Sequence, residues 1–447
     1  MSDAAGEHLP RMTVIGTGYL GATHAICMAV MGFEVLGVDV DPDKVRRLAS
    51  GEVPFFEPGL PELLNKALDS GRLRFTTDFA DAGAFGDVHF LCVGTPQSPT
   101  SDAADLTYVR SATAQLARHL DRRVLVVGKS TVPVGTAMQL TSLIHSLAPA
   151  GTQVELAWNP EFLREGFAVE DTMRPDRLVF GVDSPWAEAQ LRKAFAPVLD
   201  AHSIPVVVTD LHTAELVKVA ANSFLATKIS YINAMAEMCE ATGADVTALA
   251  EALSYDSRIG GRFLRPGLGF GGGCLPKDIR AFRHRAQELG AGQAVAFLGE
   301  VDAINRRRRA RTVDLVRELA GGDLAGVRVA AWGAAFKPDS DDIRDAPALD
   351  VADALQRAGA HVTVFDPVAM DNARRSYPQL RYAGSALSAA ADADVVVLLT
   401  EWTQFREVDP AVLGGVVRQR QVVDGRHALD PLAWRAAGWT YRALGRP

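Results

Sequence analysis

Met12-Thr13-Val14-Ile15-Gly16-Thr17-Gly18-Tyr19-Leu20-Gly21 decides the fold class of this 447-residue chain. Its first four residues make a short strand, the glycines a turn, and Ala22 to Met31 reads as a helix. A second strand, Glu34 to Val38, ends at Asp39. Gly-x-Gly-x-x-Gly between strand and helix, with an acidic residue about 20 positions on, marks a dinucleotide-binding turn. Gly16 permits the tight turn, Gly18 lets a pyrophosphate approach, and Gly21 lets helix pack on strand. Tyr19 and Leu20 open the helix whose N-terminus would face the phosphates. Asp39 would accept hydrogen bonds from ribose hydroxyls, and its charge would repel a 2′-phosphate. The cofactor expected is therefore NAD rather than NADP.

The same alternation continues outward. Apolar runs at Val88 to Val93, Val124 to Val127, Val154 to Ala157 and Pro205 to Val208 are separated mostly by helical patterns. This is the βαβ signature of a doubly wound parallel sheet. From Leu211 to Thr242 the pattern is helical without Pro or Gly, a length of roughly 45 Å. It reads as a spine between domains and a place for subunits to meet. Helical stretches at about Pro276 to Leu289 and Gln293 to Leu319 follow. Strands then return at Val327 to Trp332, His361 to Phe365, Val395 to Leu399 and Gln421 to Val423, with a helix at Ala348 to Arg357. The fold class expected is α/β: two Rossmann-like doubly wound domains joined by a long central helix and a helical middle domain. The boundaries expected are a loose tail over 1–10, a cofactor domain over 11–209, a helical domain over 210–320 and a second α/β domain over 321–447. The second domain's first turn, Gly333-Ala334-Ala335-Phe336-Lys337, lacks the full glycine fingerprint, so the two halves share an architecture but not a ligand.

A net charge of −8 gives no general attraction to nucleic acid or acidic membranes. The basic run Arg306-Arg307-Arg308-Arg309 sits in a helical pattern and reads as a solvated face. Four cysteines without metal-ligand spacing argue against a metal site and for a reducing compartment. With no signal-like N-terminus and no membrane-length apolar run, the reading is a soluble cytoplasmic protein.

The chemistry concentrates in Gly269-Phe270-Gly271-Gly272-Gly273-Cys274-Leu275-Pro276-Lys277-Asp278. Pro two residues after Cys274 fits a helix start, and a helix N-terminus beside an ammonium favours a thiolate. Elsewhere, Thr95 follows one strand and Ser130-Thr131 another, positions that line a cofactor crevice in this architecture. Asn159-Pro160-Glu161-Phe162-Leu163-Arg164-Glu165-Gly166 supplies two carboxylates four residues apart. Lys218 and Asn222 share a helix face in an apolar neighbourhood, where a lysine could stabilise an oxyanion or merely reach solvent. Arg258-Ile259-Gly260-Gly261-Arg262-Phe263-Leu264-Arg265 suits a phosphate-bearing substrate.

Taken together and in this order, GxGxxG, STVPVGT, NPEFLREG, KxxxN, RIGxxFL, GFGGxCxPKD and AFKPDxDDIR resemble the UDP-glucose/GDP-mannose dehydrogenase family of nucleotide-sugar 6-dehydrogenases. The resemblance runs from Gly16 to about Arg426 and points to the UDP-glucose branch, with GDP-mannose the nearest alternative. It implies an NAD-dependent, four-electron oxidation of the sugar C6 to a uronate through thiohemiacetal and thioester intermediates on Cys274. It further implies that Lys218 and Asp278 stabilise oxyanions, Asn222 orients the sugar, and Glu161 and Thr131 handle the hydrolytic water. Lys44, Glu165, Lys277 and Arg344 join the cofactor set. Phe162, Leu163, Phe263, Leu264, Arg265, Gly271, Phe336, Lys337 and Arg426 join the UDP-sugar set. Arg258 would come from a neighbouring subunit, so the resemblance implies a homodimer or larger homo-oligomer. Family members often carry Ser where this chain has Gly273; the backbone N–H is kept, so activity is expected to survive.

Overall fold

The computed structural model describes residues 9–446. The expected loose tail falls almost wholly outside them, although Pro10 is buried. The chain forms two compact units, one ending at Ala221 and one beginning at Asn222.

The first unit is built on eight strands: β1 (Met12–Ile15), β2 (Val35–Val38), β3 (Leu73–Thr76), β4 (Val88–Leu91), β5 (Leu125–Gly128), β6 (Glu155–Trp158), β7 (Leu178–Gly181) and β8 (Val206–Thr209). Their order is β3-β2-β1-β4-β5-β6-β7-β8. Strands β1, β2, β4, β5 and β7 are buried at every position, as strands covered by helices on both faces must be. Alternate residues feed two cores: Met12, Val14 and Phe90 on one face, Ile15, Leu36 and Leu91 on the other. Helix Tyr19–Val30 begins earlier than its apolar pattern suggested and is buried from Gly21 to Ala29. The sheet is not parallel throughout. β7 pairs antiparallel with β6 at Trp158 and Gly181, so β7 and β8 run against the other six.

The second unit carries a six-stranded, all-parallel sheet: β9 (Arg328–Trp332), β10 (His361–Phe365), β11 (Arg381–Tyr382), β12 (Val395–Leu398), β13 (Gln421–Asp424) and β14 (Thr440–Ala443), in the order β11-β10-β9-β12-β13-β14. In both sheets the order turns back beside the first strand, between β1 and β4 and between β9 and β12, where open α/β sheets place their ligand crevice.

The long helix spans Leu211–Thr242, as its composition predicted, and runs through the point where the two units divide. Helices Val246–Ser254, Leu275–Glu288 and Leu298–Leu319 follow, the last preceded by a short 3-10 turn at Gly292–Val295. The arginine run corrects the sequence reading. Arg306 and Arg307 are exposed, but Arg308 and Arg309 are buried. Arg308 binds Glu240 and Arg309 binds Asp345 and Asp350, so half of the run is internal ion pairing rather than a solvated face.

Candidate active site

Each glycine of the first turn does a different job. Gly16 has φ +87, and a Cβ there would come 2.9 Å from the Val93 backbone. A Cβ on Gly21 would stand 1.9 Å from the Gly16 carbonyl oxygen, so helix and turn touch there. A Cβ on Gly18 would meet no described atom within 4 Å. Gly18 caps helix Tyr19–Val30 with no side-chain hydrogen bond, which leaves the first amides for an anion.

Asp39 closes β2 and is buried. Its Oδ2 accepts from the Thr17 amide at 2.8 Å, Thr17 Oγ1 at 3.0 Å and Lys44 Nζ at 2.9 Å; Oδ1 accepts from the Asp41 amide at 3.1 Å. Burial alone would raise its pKa, but Lys44 and the amides outweigh burial and hold it below the ordinary carboxylate value. Each carboxylate oxygen offers about two acceptor positions and Oδ1 uses only one, so Oδ1 retains room for a ribose hydroxyl. These residues fit NAD.

The matching turn of the second unit is filled from within. Asp366, after β10, is fully buried and accepts five N–H bonds: from Ala334, Ala335 and Trp402 on Oδ2, and from Val368 and Ala369 on Oδ1. A Cβ on Gly333 would come 2.4 Å from Thr400 Oγ1. That carboxylate is saturated and the turn is closed, which is why the same architecture does not repeat the same site.

Loops after β4, β5 and β6 gather near the first turn. Thr95 Oγ1 donates to the Thr131 carbonyl at 2.6 Å, and Ser130 Oγ donates to the Val93 carbonyl at 2.5 Å. Glu161 and Lys218 form an ion pair at 3.1 Å with side chains 13% and 6% exposed, so Lys218 does not reach solvent. Glu161 also accepts from the Leu163 amide, and Lys218 Nζ lies 5.4 Å from the Phe162 ring centre.

Two buried groups in this unit escape sequence reading. Lys129 donates from Nζ to Asn159 Oδ1 at 2.8 Å, and burial lowers its pKa. Glu57 accepts from the Tyr19 hydroxyl and from the amides of Gly166 and Ala168, both at 2.7 Å. It thereby ties the first turn of the fingerprint helix to the end of the loop carrying Glu161 and Glu165. Burial first, then Glu57 and the charge of Glu165, raise the Tyr19 pKa. A charged residue in a sequence carries no mark of burial, which is why neither stood out.

In the second unit Cys274 is the N-cap of helix Leu275–Glu288, with Pro276 in the first turn. None of the four cysteines is in a disulfide; Cys27, Cys92 and Cys239 are buried and Cys274 is exposed. Burial pushes the thiols of Cys27 and Cys92 up to about 12, which leaves them inert packing groups. Beside Cys274, the buried Asp278 accepts from Asn222 Nδ2 at 2.6 Å and from Lys277 Nζ at 2.6 Å. Lys277 is thus a partner of Asp278.

The loop itself is held from several sides. Phe270 exchanges hydrogen bonds with Asn305 at 2.7 and 2.9 Å, and the Gly272 amide donates to the Arg344 carbonyl at 2.9 Å. A Cβ would come 2.3 Å from the Asp345 carbonyl oxygen at Gly271 and 2.8 Å from the Phe336 ring at Gly272. At Gly273 it would come 2.2 Å from the Arg344 guanidinium, which is bound to Asp342 at 2.7 Å. Arg426 donates to the carbonyls of Leu399 at 2.8 Å, Gly269 at 3.0 Å and Phe336 at 3.2 Å. The structure therefore shows Arg426 clamping the thiol loop to the second sheet. Lys337 Nζ lies 5.6 Å from the Phe336 ring centre. Leu264 is buried, while Arg258, Phe263 and Arg265 are exposed; Arg258 is held by Asp256, and Phe263 takes a left-handed φ of +63.

Three family models match the chain in succession. They are those of the UDP-glucose/GDP-mannose dehydrogenase family: the NAD binding domain over 10–199, the central domain over 212–307 and the UDP binding domain over 330–431. The UDP-glucose 6-dehydrogenase of Rhizobium meliloti (strain 1021) is 42% identical over 98% of this chain and 100% of that protein. The UDP-glucose 6-dehydrogenase of Pseudomonas aeruginosa is 41% identical over 98% of each. A solved UDP-glucose dehydrogenase from the hyperthermophilic archaeon Pyrobaculum islandicum gives a TM-score of 0.91 at 36% identity, covering 100% of both chains. With the glycine turn, the acidic ribose position and the thiol loop all in place, the chain belongs to the UDP-glucose/GDP-mannose dehydrogenase family.

Proposed function

We propose that this protein oxidises UDP-glucose to UDP-glucuronate, with Cys274 as the covalent nucleophile. The observation that carries the reading is the contrast among the cysteines: three are buried, and the fourth is exposed at a helix N-cap beside Asn222, Asp278 and Lys277. The UDP-glucose enzymes named among the relatives support the choice of sugar.

Gly16 to Gly21 and Asp39 would hold NAD, which when bound would supply the hydride acceptor for each of two oxidations at C6. The chain supplies the rest. After the alcohol becomes an aldehyde, the Cys274 sulfur adds to the carbonyl carbon and the oxygen gains a proton, giving a thiohemiacetal. This adduct again has a hydroxyl-bearing carbon with hydrogen, which the second oxidation needs. Its oxidation leaves a thioester. Glu161 takes a proton from a water that Thr131 holds; the oxygen adds to the thioester carbon, the C–S bond breaks, and the departing thiolate takes up a proton to restore the thiol. Lys218 stabilises the oxyanions, Asn222 orients the sugar and Asp278, which Asn222 and Lys277 hold, positions water. Thr95, Ser130, Glu165 and Arg344 attend the cofactor; Phe162, Leu163, Leu264, Arg265, Gly271, Phe336, Lys337 and Arg426 attend the UDP-sugar.

The working domain scheme is 11–209 for NAD, 210–320 for the helical segment with the thiol loop, and 321–447 for the UDP-sugar. The working assembly is a homodimer or larger homo-oligomer in the cytoplasm, with Arg258 serving a neighbouring subunit's site. The 88% exposure of the Arg258 side chain supports that last assignment.

The test counts NADH per sugar. Two NADH per UDP-glucose are expected, against little or none from GDP-mannose, UDP-N-acetylglucosamine or UDP-N-acetylmannosamine. Cys274→Ser should end uronate formation. One NADH per sugar, unchanged in that variant, would reduce the protein to a two-electron dehydrogenase, and turnover of GDP-mannose alone would overturn the choice of sugar.

A further inference from the structure

A cavity of about 520 Å³ opens on the second unit, and its polar lining is Arg280, Arg306, Arg309, Asp345, Asp350 and Arg357. Arg309 is buried. It binds Asp345 Oδ1 at 2.9 Å and also Asp350, and donates to the Phe270 carbonyl at 3.0 Å. Its Nε is buried without a hydrogen-bond partner among the described residues. Arg280, on the helix that Cys274 caps, takes the other Asp345 oxygen at 2.9 Å and reaches Asp302 at 3.2 Å. Arg306 and Arg357 are 63% and 73% exposed, and their partners Asp302 and Asp353 are not part of the lining. Four guanidiniums thus face the cavity against two carboxylates. The proposed oxidation uses none of them.

Asp345 lies behind the thiol loop. It holds a left-handed φ of +46, its carbonyl crowds Gly271, and the preceding carbonyl, of Arg344, accepts from the Gly272 amide at 2.9 Å. Arg309 touches the same loop at Phe270. Whatever competes with Asp345 for Arg280 and Arg309 therefore acts on segments that hold Cys274.

We propose that this cavity binds a diphosphate group and that its occupancy changes the reactivity of Cys274. Guanidinium forks match the terminal oxygens of phosphate, and several forks around one cavity suit more than one phosphate. A diphosphate would share Arg280 and Arg309 with Asp345 and repel that carboxylate. The thiol loop, bonded to both Arg309 and the Asp345 segment, would respond.

The probes are sodium pyrophosphate and ADP, titrated calorimetrically into the full chain and into the double variant Arg306→Gln/Arg357→Gln, with melting temperatures compared first. The same samples give the rate of iodoacetamide alkylation at Cys274 by mass spectrometry. Saturable pyrophosphate binding is expected in the native chain, with the alkylation rate changed about fivefold or more. Both effects should be lost in the variant. ADP acting more tightly than pyrophosphate, and only through these arginines, assigns a nucleotide as the source; equal affinity assigns free diphosphate. No saturable binding, or binding undiminished in the variant, overturns the site. Binding that leaves alkylation unchanged overturns the coupling. These readouts do not depend on sugar turnover, so failure here is distinct from failure of the dehydrogenase reading.

Discussion

A single ion pair shows how the first unit holds charge away from water. Lys218 and Glu161 are both largely buried, 3.1 Å apart, and each makes the other's ionised state tenable. Lys218→Met would leave the Glu161 carboxylate without its cation. A loss of about 3 kcal/mol in urea unfolding is expected, on the scale of breaking one partner of a buried pair. Adding Glu161→Gln should return part of that stability while activity stays lost. If Lys218→Met alone cost no stability, the pair would be too well solvated to tune any chemistry.

Among the elements, the fingerprint turn separates folding from binding. Gly18 has φ −69, which Ala adopts freely, and its Cβ would meet no described atom within 4 Å. Gly18→Ala should melt like the native chain yet show a raised KM for NAD. Gly21→Ala would drive a Cβ to 1.9 Å from a backbone oxygen and should lose about 1–3 kcal/mol of stability, measured by denaturant unfolding. This turn was readable from the sequence because backbone geometry dictates its glycines. So was the thiol loop, and so was helix Leu211–Thr242, which has no internal breaker. Strands β3 and β14 were not. LRFT and TYRA interleave arginine with apolar residues and look like loop, because they lie at sheet edges where one flank is solvated. The run at β8 looked like one more parallel strand. Its reversal depends on β7, which is short, buried and featureless in sequence. Lys129, Glu57, Arg308 and Arg309 were hidden or misread for a related reason: burial of a charge is set by partners far away along the chain.

For the whole molecule, the long helix leaves Phe224, Tyr231 and Met238 exposed at intervals of one heptad, 66%, 51% and 56% accessible. A seam of that spacing suits a second helix. It supports the proposed homodimer. Tyr231→Glu/Met238→Glu is expected to shift the protein to monomers in sedimentation velocity; on the proposed role of Arg258 in a neighbouring site, dehydrogenase activity should fall in step. Dimers that persist in the variant would move the interface elsewhere. The clamp at Arg426 bears on how the protein is made. Cys274 leaves the ribosome well before Arg344, Phe336 and Arg426, which shape its loop. At about 5–20 residues per second, several to tens of seconds separate the birth of the thiol from the arrival of its last support. Throughout that interval the loop around Cys274 lacks the contacts that hold it in the finished chain. A product truncated before Arg426 would keep the thiol but lack the clamp on its loop, so it is expected to react with alkylating agents yet turn over no sugar.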